Sequence, residues 1–226
     1  MEPLSYLNCI NMSLLSFQRA LTDLIASPQL CVEARHHPES ILSRYDLTIL
    51  ENMRLRTVLY QKGMSVSCTL YRVNRITPVY TLMPYTCLLL GDLLVPLAEE
   101  CWSEYSTSGL QFKHEIEIFT AFLQQKLNAG SLHKPYLQEI LAMEAAINEL
   151  KFLQKDMLMK EVYEEATHPL IRLIPFEHDP EPLLEALSNM NIPAVEKKRD
   201  NYLLMIDYRG DEMLFSTLPG HNQAAC

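Results

Sequence analysis

The sequence predicts an α+β protein: an N-terminal all-helical part to about residue 166, then a small β-α-β-β module over residues 167–226 with a three-stranded antiparallel sheet. Three observations carry this. Apolar residues recur at three- and four-residue spacing through most of the first part. From Thr167 the pattern changes to short runs with β-branched residues. Only 6 Gly against 13 Pro argue for ordered connections rather than flexible linkers.

In "SLLSFQRALTDLIA", Leu14, Phe17, Leu21, Leu24 and Ile25 fall on one helical face, and Pro28 reads as the stop. Thr48 with Glu51 three residues later has capping-box spacing. It opens a second long helix near Ile49 that ends at Gly63. The apolar repeat Val66, Leu70, Val73, Ile76, Tyr80 predicts another helix, with Pro78 as a kink or first turn. Asp92 reads as the cap of a helix to about Tyr105, "STSG" as a loop, and Asn128 with Gly130 as the end of "KHEIEIFTAFLQQKLNAG". Pro135 starts a long apolar-periodic stretch to about Ala166, one helix or two joined.

In "HPLIRLIPFEHDPEPLLEAL" a short strand leads to Asp179 as N-cap, Pro180 at the first helical position, and Leu183, Leu184 and Leu187 on one face. "NYLLMIDY" and "EMLFSTL" are strand-like runs around "RGD", a hairpin connection. The remaining "PGHNQAAC" reads as an untethered tail.

Charge and composition exclude several functions. A net charge of −9 opposes polyanion binding, which rests on Lys and Arg neutralising phosphates. Lys197, Lys198 and Arg199 form the one basic run. Cys9, Cys31, Cys68, Cys87, Cys101 and Cys226 are widely spaced with no CxxC pair, the usage of reduced, mostly buried thiols. No signal peptide is evident, and "TCLLLGDLLVPLA" is too short to span a bilayer and is broken by Gly91, Asp92 and Pro96. These features point to the cytoplasm.

Catalytic constellations are not apparent. His36 and His37 diverge on a helix, and His114, His133, His168, His178 and His221 are scattered without an HExxH pattern. No nucleophile elbow or phosphate loop occurs, and the acidic pairs Glu99-Glu100, Glu115/Glu117 and Glu164-Glu165 have the look of solvated helix faces. Tyr71, Arg72, Asn74 and Arg75 suit a polar network between helices. The informative element is the terminal sheet. One edge of such a sheet offers unpaired N–H and C=O groups to an extended peptide, and Met213, Leu214, Phe215, Ser216 and Thr217 are the candidate peptide-binding residues. The expectation carries no catalytic residue, no metal ligand and no cofactor in this chain.

With Tyr71, Arg72 and Asn74, then Pro84 ahead of Leu90 and Gly91, and later "FTAFLQ" and "PYLQEILAMEAAINEL", the chain resembles the helical HvfC/BufC-type family, once labelled DNA-binding. Its short C-terminal module and length look most like the methanobactin-biosynthesis branch. That resemblance implies a partner subunit for a TIM-barrel, multinuclear non-haem iron oxygenase. Together they convert cysteines of a ribosomal precursor peptide into oxazolone and thioamide groups, building a copper chelator. It implies that the iron and O2 belong to the partner, that the terminal sheet holds the precursor's leader, and that the helical domain docks on the oxygenase. The family's old label keeps a second expectation open, a DNA-binding regulator.

Overall fold

The computed structural model describes residues 4–105, 111–153, 168–194 and 202–219. The chain divides into two compact units, Met1–Ile76 and Thr77–Cys226. The expected junction at 166/167, the "STSG" loop, the basic run at Lys197 and most of the terminal tail lie outside the described residues.

In the first unit, helices α1 (Leu4–Ala26), α2 (Pro28–His36), α3 (Pro38–Leu42) and α4 (Ile49–Leu59) precede α5 (Lys62–Leu82), which starts in this unit. They bury Leu24, Cys31, Ile41, Leu42, Leu55, Leu59 and Cys68 in one core. Helix α1 ends at Ala26, just ahead of Pro28 as expected, and Pro28 also opens α2, with the Ser27 hydroxyl accepting from Leu30 N at 3.2 Å. A proline suits this position because its missing N–H has no helical partner anyway. The Thr48 capping box forms as its spacing predicts, Thr48 N donating to Glu51 Oε2 at 2.8 Å and Glu51 N to the Thr48 hydroxyl at 3.3 Å. Helix α4 ends earlier than Gly63: its last carbonyl, Leu59 O, accepts from Arg35 Nε at 2.7 Å, and Tyr60 OH donates back to Arg35 O at 2.7 Å. Gly63 falls in the first turn of α5.

Helix α5 continues past Pro78, which is buried inside it rather than at its start. Its apolar repeat forms a helix but does not form the core face: Val66, Leu70, Val73 and Tyr80 are exposed, while Met64, Cys68, Arg75 and Val79 are buried. The Arg75 guanidinium lies 5.9 Å from the ring centre of Tyr71, one turn back on the same helix.

The second unit contains α6 (Pro84–Leu90), a 3-10 turn (Gly91–Leu93), α7 (Leu94–Glu104), α8 (Phe112–Asn128), α9 (Leu137–Phe152), β1 (Ile171–Phe176), α10 (Pro180–Ser188), β2 (Tyr202–Asp207) and β3 (Leu214–Pro219). Asp92 sits inside the 3-10 turn and caps nothing; α7 begins at Leu94 without a side-chain cap. Gly91 at φ +55° ends α6 in the left-handed region, which glycine enters without a Cβ penalty. Gly130, at φ +68°, closes α8: Ser131 N donates to Lys126 O and Gly130 N to Leu127 O, both at 3.0 Å, the two bonds of a Schellman motif. Pro135 does not open α9. Tyr136 intervenes at φ +63°, and the helix starts at Leu137. Among the described residues no single helix is long and apolar enough to cross a membrane.

The fold is α+β, with a three-stranded antiparallel sheet in the order β1-β2-β3. Asp179 caps α10 through Glu181 N at 3.3 Å, with Pro180 behind it, and Leu183 and Leu187 are fully buried. The cross-strand rows Ile174–Leu204–Thr217 and Arg172–Ile206–Phe215 share one face. On that face Ile174, Phe176, Leu204 and Ile206 are buried. Leu173, Met205 and Ser216 lie on the other.

Candidate peptide-binding edge

Strand β3 pairs with β2 alone among the described residues, so it is an edge of the sheet. Half of its backbone N–H and C=O groups point away from β2, the template a fourth strand requires. The opposite edge, β1, carries Pro175 as its penultimate residue, which removes a donor and blunts pairing there. In β3 the proline is the terminal residue, Pro219. The strand is displaced by one residue from the expected span: Leu214, Phe215, Ser216 and Thr217 lie in it, whereas Met213 belongs to the turn before it. All four strand positions are exposed, with Leu214 at 65% and Phe215 at 49%.

Alternation along the chain gives the edge two different sides. Met213, Phe215 and Thr217 have the same parity and lie toward the helices; Leu214, Ser216 and Leu218 face the other way. Beside Met213 and Phe215 opens a groove of about 710 Å³, walled by Tyr85 of α6, Met143, Ile147 and Lys151 of α9, and Leu184 of α10, with Asp211 and Glu212 at its hairpin end. Most of this lining is apolar, the character of a site that takes side chains rather than ions.

Each wall has an identifiable support. Helix α6 starts at Pro84 with no side chain of its own to cap it. The Glu144 carboxylate of α9 takes that role, accepting from Tyr85 N and Thr86 N at 2.8 Å each. Burial pushes the Glu144 carboxyl above its usual range, against the opposing pull of Thr86, the Tyr85 amide and Lys151. Asn148, one turn further along α9, donates to Leu82 O at 2.8 Å. The hairpin is fixed by Asp207, whose carboxylate accepts from Arg209 N at 3.0 Å and from the Arg209 guanidinium at 2.7 Å. Hydrogen bonding by Arg209 holds the Asp207 carboxyl below the usual carboxylate range.

A second polar cluster joins β1 to α9. The buried Glu139 carboxylate meets His178 Nδ1 at 2.6 Å and accepts from Glu177 N at 2.9 Å. The Tyr136 ring stands edge-on to His178 at 4.7 Å, and its hydroxyl donates to Pro193 O at 2.8 Å. His168, at the other end of β1, accepts from Leu170 N at 3.1 Å through Nδ1. His168 and His178 therefore fasten opposite ends of one strand. Sequence reasoning passed over Glu139, Glu144 and Asn148, although Leu137, Ile140, Leu141, Glu144 and Asn148 continue one apolar-periodic stripe. A polar residue at a core position was the available signal. Glu115, expected on a solvated face, is buried at 2% exposure.

The thiols Cys31, Cys68, Cys87 and Cys101 are buried and in no disulfide. Burial, then the nearby Glu144 carboxylate, pushes Cys87 up to about 12; burial, then contact with Cys31, pushes Cys68 to about 11. Among the described residues no group of three or more His, Cys, Asp or Glu is arranged to hold a metal ion. No protein-family model matches the chain, and no curated protein or solved structure matches it.

Proposed function

We propose that this chain is the binding subunit of a peptide-modifying complex. It holds the leader of a ribosomal, cysteine-bearing precursor as an added strand on β3 and presents the precursor to a TIM-barrel, multinuclear non-haem iron oxygenase. The oxygenase, supplied with iron and O2, converts precursor cysteines to oxazolone and thioamide groups. The observation that carries the peptide-binding part is the exposed edge strand β3 beside an apolar groove, the arrangement that strand addition uses. The oxygenase, the precursor chemistry and the likeness to methanobactin biosynthesis protein C rest on the family resemblance.

The helical part supplies a docking surface of fitting character. Within the first unit, the exposed residues of α5 from Ser65 to Asn74 are Ser65, Val66, Thr69, Leu70, Val73 and Asn74, none of them charged, in a chain with 21% charged residues. An uncharged face repeating every three or four residues fits against a partner's helix. Co-expression of the chain with a neighbouring oxygenase and a short cysteine-bearing peptide tests the proposal. A co-purifying complex that modifies the peptide is expected; a chain that binds neither partner defeats it.

A further inference from the structure

The edge of β3 reads more than backbone. Of the last hairpin, Phe215 of β3 and Met213 in the turn just before it face the groove, so a strand that pairs with β3 and runs on past its start sends into the groove the residue opposite Phe215 and the one beside Met213. Those residues sit at i and i+2, about 7 Å apart. The intervening side chain turns to the other face, beside Leu214 and Ser216. The groove wall at those two positions is Tyr85, Met143, Ile147 and Leu184, all uncharged. At the hairpin end the lining changes to Asp211 and Glu212, both exposed. Lys151 stands on the α9 wall.

Direction follows from pairing. Antiparallel ladders are the commoner and slightly more stable kind, and an antiparallel fourth strand places its C-terminal end beside the start of β3, where Asp211 and Glu212 lie. We infer that β3 and its groove select an extended segment with large apolar side chains at i and i+2 and a Lys or Arg just C-terminal to them. This rests on the strand-addition reading above and narrows it to a class of peptide. The acidic pair gives the site its register, since a one-residue slip turns both apolar side chains out of the groove.

Calorimetry of the full chain against synthetic acetylated peptides tests it. The first peptide alternates isoleucine and threonine and ends in two arginines; the second has the same composition with the isoleucines adjacent; the third ends in two glutamates. The alternating, arginine-ended peptide is expected to bind at least about tenfold more tightly than either of the others. Exchanging Asp211→Lys together with Glu212→Lys is expected to reverse the preference between arginine and glutamate ends. The N–H of Thr217 points away from β2, because the bond from Tyr208 N to Leu170 O sets Leu214 and Ser216 as the residues bonded to β2. Thr217→Pro is expected to abolish binding of every peptide, while Thr217→Ala retains it and circular dichroism shows both variants folded. If Thr217→Pro abolishes binding but the three peptides bind equally, strand addition stands and the side-chain selection is wrong. If no peptide binds the wild-type chain, or Thr217→Pro leaves binding intact, both fail.

Discussion

Replacing Glu144 by alanine tests how the groove wall is held. The carboxylate is 3% exposed and is the acceptor for Tyr85 N and Thr86 N at the start of α6. Alanine removes it and leaves both amides without their acceptor. An unsatisfied buried donor costs about 1–3 kcal/mol, so the pair, with partial relaxation of α6, gives a loss of roughly 3 kcal/mol. For a chain of this size that lowers the melting temperature by about 6–12 °C. Glu144→Gln keeps one acceptor oxygen and loses about half as much. The two variants also separate by pH. Burial raises the folded-state carboxyl above 4.5, so the stability this group contributes is fully present below that value and is lost as pH rises through the folded one. The wild type's advantage over Glu144→Gln should accordingly be largest in acid and shrink as pH rises. Calorimetric scans from acid to neutral pH measure this. A loss below about 1 kcal/mol in the alanine variant, or an advantage over glutamine that grows with pH, would refute the reasoning.

Three further outcomes are expected. Asp207 has a depressed carboxyl through Arg209, so its contribution is present above the ordinary Asp value and disappears as pH falls through the folded one. Asp207→Asn should lower the unfolding free energy from urea titration slightly at neutral pH, by roughly 0.5–1 kcal/mol for a partly exposed pair, and not at all once the wild type is fully protonated. Val66→Glu with Leu70→Glu, at positions 56% and 55% exposed, should change stability by no more than about 0.5 kcal/mol while abolishing co-purification with the oxygenase. Cys68 and Cys87, buried and pushed to about 11 and about 12, should resist alkylation at pH 8 in the native chain, since the thiolate is the reactive form, and react after denaturation, as peptide mapping by mass spectrometry would show.

The terminal module was legible because local rules and the global fold agree there. Asp179 followed by Pro180 has one good use, a helix start, and the strands on either side are set by short β-branched runs. The Thr48–Glu51 box was legible for the same reason. Prolines were legible only in part where they fall at a boundary: α1 stops just ahead of Pro28 as expected, but Pro28 also opens α2, and Pro135 yields to Tyr136 in a left-handed conformation. The repeat on α5 shows the deeper limit. Periodicity identifies a helix but not the direction its apolar face points, and here Val66, Leu70 and Val73 face outward while Arg75 is buried. At the edge strand, sequence located the residues, but the groove could not be read in advance. Tyr85, Met143, Ile147 and Leu184 come from three helices, and only the tertiary packing sets them beside Phe215. Glu144 and Glu139 were hidden for a related reason, since their partners lie 58 to 59 and 38 to 39 residues away.

The central claim is that β3 accepts a fourth strand, and amide hydrogen exchange resolved by residue measures this most directly. With the precursor leader or the alternating peptide bound, amides of β3 should gain protection at every second residue, those already paired to β2 changing little and those pointing outward slowing strongly. Protection spread evenly over the sheet, or confined to the helices with β3 unchanged, would contradict the account.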